Sequence, residues 1–167
     1  MTDLLKPHFD MKPITEETAR ERLAALCSRS EHCISQVKEK MYDWGIAPQA
    51  QDRIVDYLLA HHYIDEERFA RVYIEDKVHY NGWGPRKIAQ MLVAKRIDKQ
   101  VVRNILEEID PQVFVGQLQP LLRQKQRSVT GKTAYERYCK LVRFALGRGY
   151  EMETIRQCLA EVEEDEP

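Results

Sequence analysis

The stretch Ile88-Ala89-Gln90-Met91-Leu92-Val93-Ala94-Lys95-Arg96-Ile97-Asp98-Lys99-Gln100-Val101-Val102-Arg103-Asn104-Ile105-Leu106-Glu107-Glu108-Ile109 contains two short helical patterns joined by a tight turn. Val102, Ile105, Leu106 and Ile109 fall at i, i+3, i+4 and i+7, which places them on one face of a helix. The turn Lys95-Arg96-Ile97-Asp98 has counterparts at Trp44-Gly45-Ile46-Ala47-Pro48 and Arg148-Gly149-Tyr150-Glu151. Ile46, Ile97 and Tyr150 stand 51 and 53 residues apart, and their surroundings superpose by class. Nine residues before each anchor are Val37, Ile88 and Leu141; five before are Met41, Leu92 and Ala145. After the anchors come Ile54, Val55 and Leu58, then Ile105, Leu106 and Ile109, then Cys158, Leu159 and Val162. An apolar register held across three segments marks a tandem repeat, because each unit must bury its apolar face against the next.

No sustained period-two alternation occurs, so the chain is expected to be all-α: three tandem three-helix repeats forming an elongated, curved helical array. The expected divisions are a segment 1–12, repeats at 13–62, 63–110 and 111–162, and an acidic tail 163–167. Helices are predicted over 15–28, 34–44 and 48–61; 65–80, 85–95 and 99–109; and 111–127, 133–146 and 152–162. Tyr138, Leu141, Val142 and Ala145 form the core stripe expected for the eighth helix. Asp65-Glu66-Glu67 reads as a cap with an acidic first turn, Gly84-Pro85 as a helix start, and Asp98, Thr133 and Glu151 lie at or near similar starts.

With 43% apolar and 32% charged residues, seven Gly and seven Pro, the composition excludes disordered and collagen-like chains. No apolar run approaches the roughly 20 residues of a membrane span, and residues 1–12 lack the apolar core of a secretory signal. A cytoplasmic protein without a membrane partner is expected. Cys27, Cys33, Cys139 and Cys158 follow neither a CxxC nor a zinc-ligand rhythm and read as reduced thiols.

Several features imitate catalytic or ligand chemistry. Val129-Thr130-Gly131-Lys132-Thr133 resembles the end of a phosphate-binding loop, but Gln126 stands where its first glycine belongs and the preceding segment reads as helix. Gly131 is expected to stop one helix and Thr133 to cap the next. His8, His32, His61, His62 and His79 lack metal-ligand spacing, and the carboxylate pairs Glu66-Glu67 and Glu107-Glu108 lie at solvated helix ends. No catalytic residue, metal or cofactor is predicted.

The net charge of -1 conceals a strong asymmetry. Residues 1–76 carry 10 Lys+Arg against 15 Asp+Glu, residues 77–148 carry 15 against 5, and residues 149–167 carry 1 against 7. The central basic block is the expected footprint of a polyanion. Arg137, Lys140 and Arg143 recur every three residues and cover an arc of about 120° beside the core stripe. Arg123, Lys125, Arg127 and Lys132 cluster ahead of that helix, and Arg148 follows it. Arg86, Lys87, Lys95 and Arg96 form a weaker version in the second repeat. These twelve cations are the candidate contacts to nucleic acid. Of the interleaved aromatics Tyr80, Trp83, Tyr135 and Tyr138, Trp83 between Gly82 and Gly84 is the one expected to be exposed, and Tyr138 the one expected to pack.

His62-Tyr63-Ile64-Asp65-Glu66-Glu67-Arg68-Phe69-Ala70-Arg71-Val72-Tyr73, followed by Gly84-Pro85-Arg86-Lys87-Ile88 and Leu92-Val93-Ala94-Lys95-Arg96-Ile97, resembles the signature of the RecX family of bacterial recombination regulators. The resemblance is sharpest over 61–109 and extends to about 15–162. It implies a monomeric modulator of the RecA recombinase, acting in recombination, DNA repair and the SOS response. Such a protein binds the RecA filament on single-stranded DNA and inhibits its extension, ATP hydrolysis and strand exchange. Double-stranded DNA is the weaker partner candidate. Asp65, Arg68, Phe69 and Gly84 match the family motif with structural roles expected for Asp65 as a cap, Phe69 in packing and Gly84 at the hinge into the middle helix. Arg68 is open between an ion-pair staple and a contact. Arg96 departs from the Lys-Gly-Ile usual among relatives, which puts a bulky residue where a left-handed backbone favours glycine. The alternative from the residues alone is a helix-turn-helix-like DNA-binding regulator, which requires one exposed base-reading helix and usually a dimer; a helical adaptor for an acidic protein is a third reading.

Overall fold

The computed structural model describes residues 13–164; among these residues it contains nine helices and no strand. The segment expected at 1–12, the last three residues of the tail expected at 163–167 and the side chain of Val162 lie outside the described residues. The helices are α1 (Glu16–Arg29), α2 (Ile34–Asp43), α3 (Pro48–Ala60), α4 (Glu66–His79), α5 (Pro85–Ala94), α6 (Lys99–Glu107), α7 (Pro111–Ser128), α8 (Ala134–Gly147) and α9 (Met152–Glu164). One compact unit ends at Asp65 and a second begins at Glu66, so α1–α3 belong to the first and α4–α9 to the second. In every repeat the third helix packs against both of the others.

Helix starts follow from local chemistry. Thr15, Asp98, Asp110 and Thr133 each accept a hydrogen bond from a first-turn backbone N–H, an arrangement that stabilises a helix by about 1 kcal/mol. Pro48, Pro85 and Pro111 occupy first helical positions, where the missing N–H has no intrahelical partner to lose. Glu66 and Glu67 place negative charge at the positive end of α4.

The turn that set the repeat register is one structure made three times. Each middle helix ends with a residue in the left-handed region: Gly45 at φ 73°, Arg96 at φ 64° and Gly149 at φ 90°. The N–H groups of Ile46, Ile97 and Tyr150 then donate to the carbonyls of Met41, Leu92 and Ala145. Those of Gly45, Arg96 and Gly149 donate to Tyr42, Val93 and Leu146. This double closure satisfies the last helical carbonyls and turns the chain so that the anchor side chain enters the core. Ile46, Ile97 and Tyr150 are accordingly buried. Arg96 adopts the glycine conformation with a Cβ attached, which costs about 1 kcal/mol.

In the first unit Leu23, Val37, Met41, Ile54 and Leu58 form the centre of the core. Arg53 of α3 donates to both carboxylate oxygens of Glu16 on α1, at 2.8 and 2.9 Å. In the second unit, Arg71 of α4 donates to both oxygens of Glu108 at 2.7 and 3.1 Å, and to Glu67. Each fork ties the first helix of a repeat to the third helix or its end.

Repeats 2 and 3 share a backbone contact. The Gly84 N–H donates to the Arg148 carbonyl at 2.8 Å and the Arg86 N–H to the Gly149 carbonyl at 3.0 Å. A Cβ on Gly84 would lie 2.4 Å from the Gly149 carbonyl, and one on Gly149 would lie 2.3 Å from the Lys87 Cβ. The Tyr150 hydroxyl donates to the Gly82 carbonyl at 3.0 Å, and Arg148 Nη1 to the Asn81 carbonyl at 2.9 Å. The loop before α5 is therefore clasped to the turn before α9. Gly84, expected at a hinge, is a point of close docking. Burial pushes the Tyr150 phenol up to about 12.

Several core assignments differ from expectation. Tyr138 is 36% exposed, because α8 buries only Leu141 and Ala145 of its expected stripe. Leu106 and Ile109 are half-buried, since they line an open cleft of about 720 Å³ with Val93, Val102 and Phe114 instead of closing against another helix. α7 ends at Ser128, before Gly131 is reached.

Candidate nucleic-acid interface

Lys125 from the last turn of α7 and Lys140 and Arg143 from α8 line one cleft of about 480 Å³ together with Ser128, Val129, Thr130 and Phe144. Helix periodicity puts Lys140 and Arg143 on one side of α8, while the α7–α8 connection brings Lys125 across from them. The Lys140 ammonium donates to the Thr130 carbonyl. The Lys125 Nζ lies 5.4 Å from the Phe144 ring centroid and the Arg148 guanidinium carbon 5.2 Å from it, distances at which a cation is attracted to the ring face. Among the described residues, no carboxylate lines this cleft. Its chemistry suits an anion: three cations concentrate positive potential in a concavity where solvent screening is reduced.

The remaining candidates of the third repeat lie around this cleft or are used otherwise. Arg137 Nη1 donates to the Gly131 carbonyl at 2.9 Å, holding the connection against α8. Lys132 is exposed, and its backbone N–H donates to the Glu136 carboxylate at 2.8 Å. A carboxylate thus occupies the backbone donor that a phosphate would need in the apparent phosphate loop. Arg123 and Arg127 are exposed on α7. Arg148 is half-buried, and its bond to Asn81 makes it part of the clasp.

The second repeat brings together Lys87 and Lys95 with two aromatics and a lysine absent from the sequence-based set. Lys87 Nζ is 4.4 Å from the Trp83 ring centroid, and Lys95 Nζ is 5.9 Å from that of Tyr73. Lys77 Nζ bridges the two rings, 5.2 Å from Tyr73 and 5.3 Å from Trp83. Trp83 is half-buried between lysines and not the exposed aromatic expected, whereas Tyr80 and Tyr135 are 85% and 75% exposed. Arg96 is exposed on its left-handed turn. Arg86 lines the apolar cleft beside α6. Of the motif residues, Asp65 immediately precedes α4, Arg68 is half-buried, and Phe69 is buried with its ring 5.9 Å from Tyr73.

Residues 65–106 match the family model described as "RecX, second three-helix domain", and residues 116–159 match "RecX, third three-helix domain". Regulatory protein RecX of Vibrio vulnificus is 31% identical over 144 residues, covering 86% of this chain and 92% of that protein. The chain belongs to the RecX family. Regulatory protein RecX of Vibrio parahaemolyticus is 28% identical over 148 residues, covering 89% and 94% of the two chains. The crystal structure of RecX from Lactobacillus salivarius has the same fold, with a TM-score of 0.80 at 16% identity over 89% of this chain and 96% of that one. RecX proteins are thus a family of regulatory proteins built on this helical repeat, and the two model matches fall on α4–α6 and α7–α9.

Among the described residues no three His, Cys, Asp or Glu side chains converge as a metal site requires, and no helix is long and apolar enough to cross a membrane. Cys27, Cys33 and Cys158 are buried and Cys139 half-buried, none of them in a disulfide. Burial pushes the Cys158 thiol up to about 11, the opposite of what an activated nucleophile needs. Sequence reasoning missed Tyr73 and Lys77. Their signal was present as an i, i+4 pair, but its significance depends on Trp83 and Lys95 arriving from outside α4.

Proposed function

We propose that this protein modulates the RecA recombinase by binding its filament on single-stranded DNA and hindering filament extension, ATP hydrolysis and strand exchange. It acts by occupancy, as a cytoplasmic monomer, without a cofactor or catalytic group of its own. Membership of a family of regulatory proteins carries this reading. The cleft lined by Lys125, Lys140 and Arg143 supports its DNA-facing half, because phosphates neutralised there release counterions and favour binding.

The test is the ATPase rate of the host's RecA on single-stranded DNA with increasing amounts of this protein. The rate is expected to fall as the protein approaches stoichiometry with the filament, and an unchanged rate there overturns the proposal. For the cleft, replacing Lys140 and Arg143 together by Glu should weaken binding and lower the slope of log affinity against log salt by about 0.7 for each phosphate that is no longer neutralised. An unchanged slope moves the DNA-facing surface away from α8.

A further inference from the structure

The cleft of the third repeat offers cations but little aromatic surface, whereas the second repeat offers both in alternation. Lys95, Tyr73, Lys77, Trp83 and Lys87 form one unbroken series of ammonium-to-ring contacts, 5.9, 5.2, 5.3 and 4.4 Å in that order. Both rings and all three lysines are half-buried, so the apolar stems lie along the surface of the repeat. Among the described residues, the carboxylate ion-paired with one of these lysines is Asp76, 3.3 Å from Lys77 and itself 51% exposed. The series therefore retains positive charge. Tyr80, 85% exposed, lies between Lys77 and Trp83 in sequence.

The adjoining turn supplies a second observation. The equivalent left-handed positions of the other repeats are Gly45 and Gly149, whereas this repeat places an exposed arginine there, next to Lys95. The fold itself is better served by glycine at that position. A guanidinium retained against the backbone preference is explained if it has something to bind.

We infer that the second repeat carries its own single-strand binding track, in which Trp83 and Tyr73 are stacking platforms for bases and Lys77, Lys87, Lys95 and Arg96 contact the backbone phosphates. In the free protein the ammonium groups rest on the rings. When a strand arrives each can move to a phosphate, and the vacated ring face accepts a base. Stacking of this kind tolerates any base, since every base has a π-face, but it requires unpaired ones, because a duplex keeps its faces stacked on one another. The track is thus specific for single strands, unlike a cleft that recognises phosphate charge alone. This inference rests on the DNA-facing half of the proposed function and assigns it a second location.

Trp83 is its own reporter once Trp44 is replaced by Phe, since the chain has two tryptophans. The full-length Trp44→Phe protein is titrated with a fluorescein-labelled oligothymidine, with label anisotropy measuring binding and Trp83 emission measuring stacking. A duplex of the same length is titrated in parallel. Quenching of Trp83 that follows the anisotropy isotherm for the single strand and is absent for the duplex is the expected result. Replacing Trp83 by Ala should weaken single-strand binding by about tenfold. Arg96→Gly should weaken it while raising the thermal midpoint, a pair of opposite signs that loss of folding does not produce. The double variant Lys87→Gln, Lys95→Gln repeats the binding test with both rings intact. If the oligonucleotide binds with no change in Trp83 emission, and Arg96→Gly and the double variant bind as well as the parent, the track is wrong and the third-repeat cleft remains. If the parent binds no oligonucleotide, the track and the DNA-facing half both fail, while RecA ATPase inhibition still judges the regulatory reading separately.

Discussion

Gly45 in the first unit and Gly149 in the second occupy the same turn at the end of the same helix of their repeats, yet they are constrained by different things. Both lie in the left-handed region, at φ 73° and 90°. Among the described residues a Cβ on Gly45 would meet nothing within 4 Å, whereas one on Gly149 would lie 2.3 Å from the Lys87 Cβ and 2.4 Å from its backbone nitrogen. At Gly45 the requirement is conformational alone. At Gly149 it is conformational and steric, because repeat 2 docks on that turn through paired backbone hydrogen bonds. Gly84 completes the comparison, since its backbone is ordinary and its constraint is the docking alone. Arg96 shows the converse: the conformation can be borne by a side chain where the surroundings are open. A repeated glycine in a repeat protein therefore need not have one cause.

These distinctions can be broken by substitution and urea unfolding. Gly149→Ala combines both penalties and should cost about 2–4 kcal/mol. Gly84→Ala, with the steric part alone, should cost about 1–3 kcal/mol. Gly45→Ala should cost about 1 kcal/mol; a loss equal to that of Gly149→Ala would dissolve the comparison. Tyr150→Phe removes the hydrogen bond to Gly82 while keeping the buried ring, and should cost about 1 kcal/mol.

The smallest expected effect concerns the two exposed arginine forks. The Arg53 guanidinium holds the Glu16 carboxyl below its ordinary range, mainly through hydrogen bonding, and Arg71 does the same for Glu108. Because each folded carboxyl titrates below the unfolded one, its contribution is full above about pH 4.3 and disappears as the pH falls through the lowered folded value. Arg71→Gln should flatten the acid limb of stability against pH, and added salt should mimic it because both partners are solvated.

Much of the fold was legible because its determinants are local. Val37, Ile88 and Leu141 share a register, and Asp98 and Thr133 cap within three residues of themselves. The errors came where burial depends on neighbours distant in sequence. Tyr138 has helical spacing suited to a core, but among the described residues no facing helix covers it; Leu106 and Ile109 face an open cleft for a similar reason. The candidate interface was legible as charge and not as geometry. Arg137, Lys140 and Arg143 could be read from spacing, whereas the use of Arg148 in a clasp with Asn81 and of Lys77 against Trp83 depended on partners outside their own helices.

The sequence by itself determined the three repeats, their helices, their left-handed turns and the basic block, because periodicity, caps and charge act over one or a few helical turns. Only the tertiary structure decided which lysines face one cleft, which flank Trp83 and Tyr73, and why Gly84 and Gly149 admit no side chain. Those outcomes depend on distances of a few ångströms between groups that separate elements bring together, which packing fixes and spacing along the chain does not.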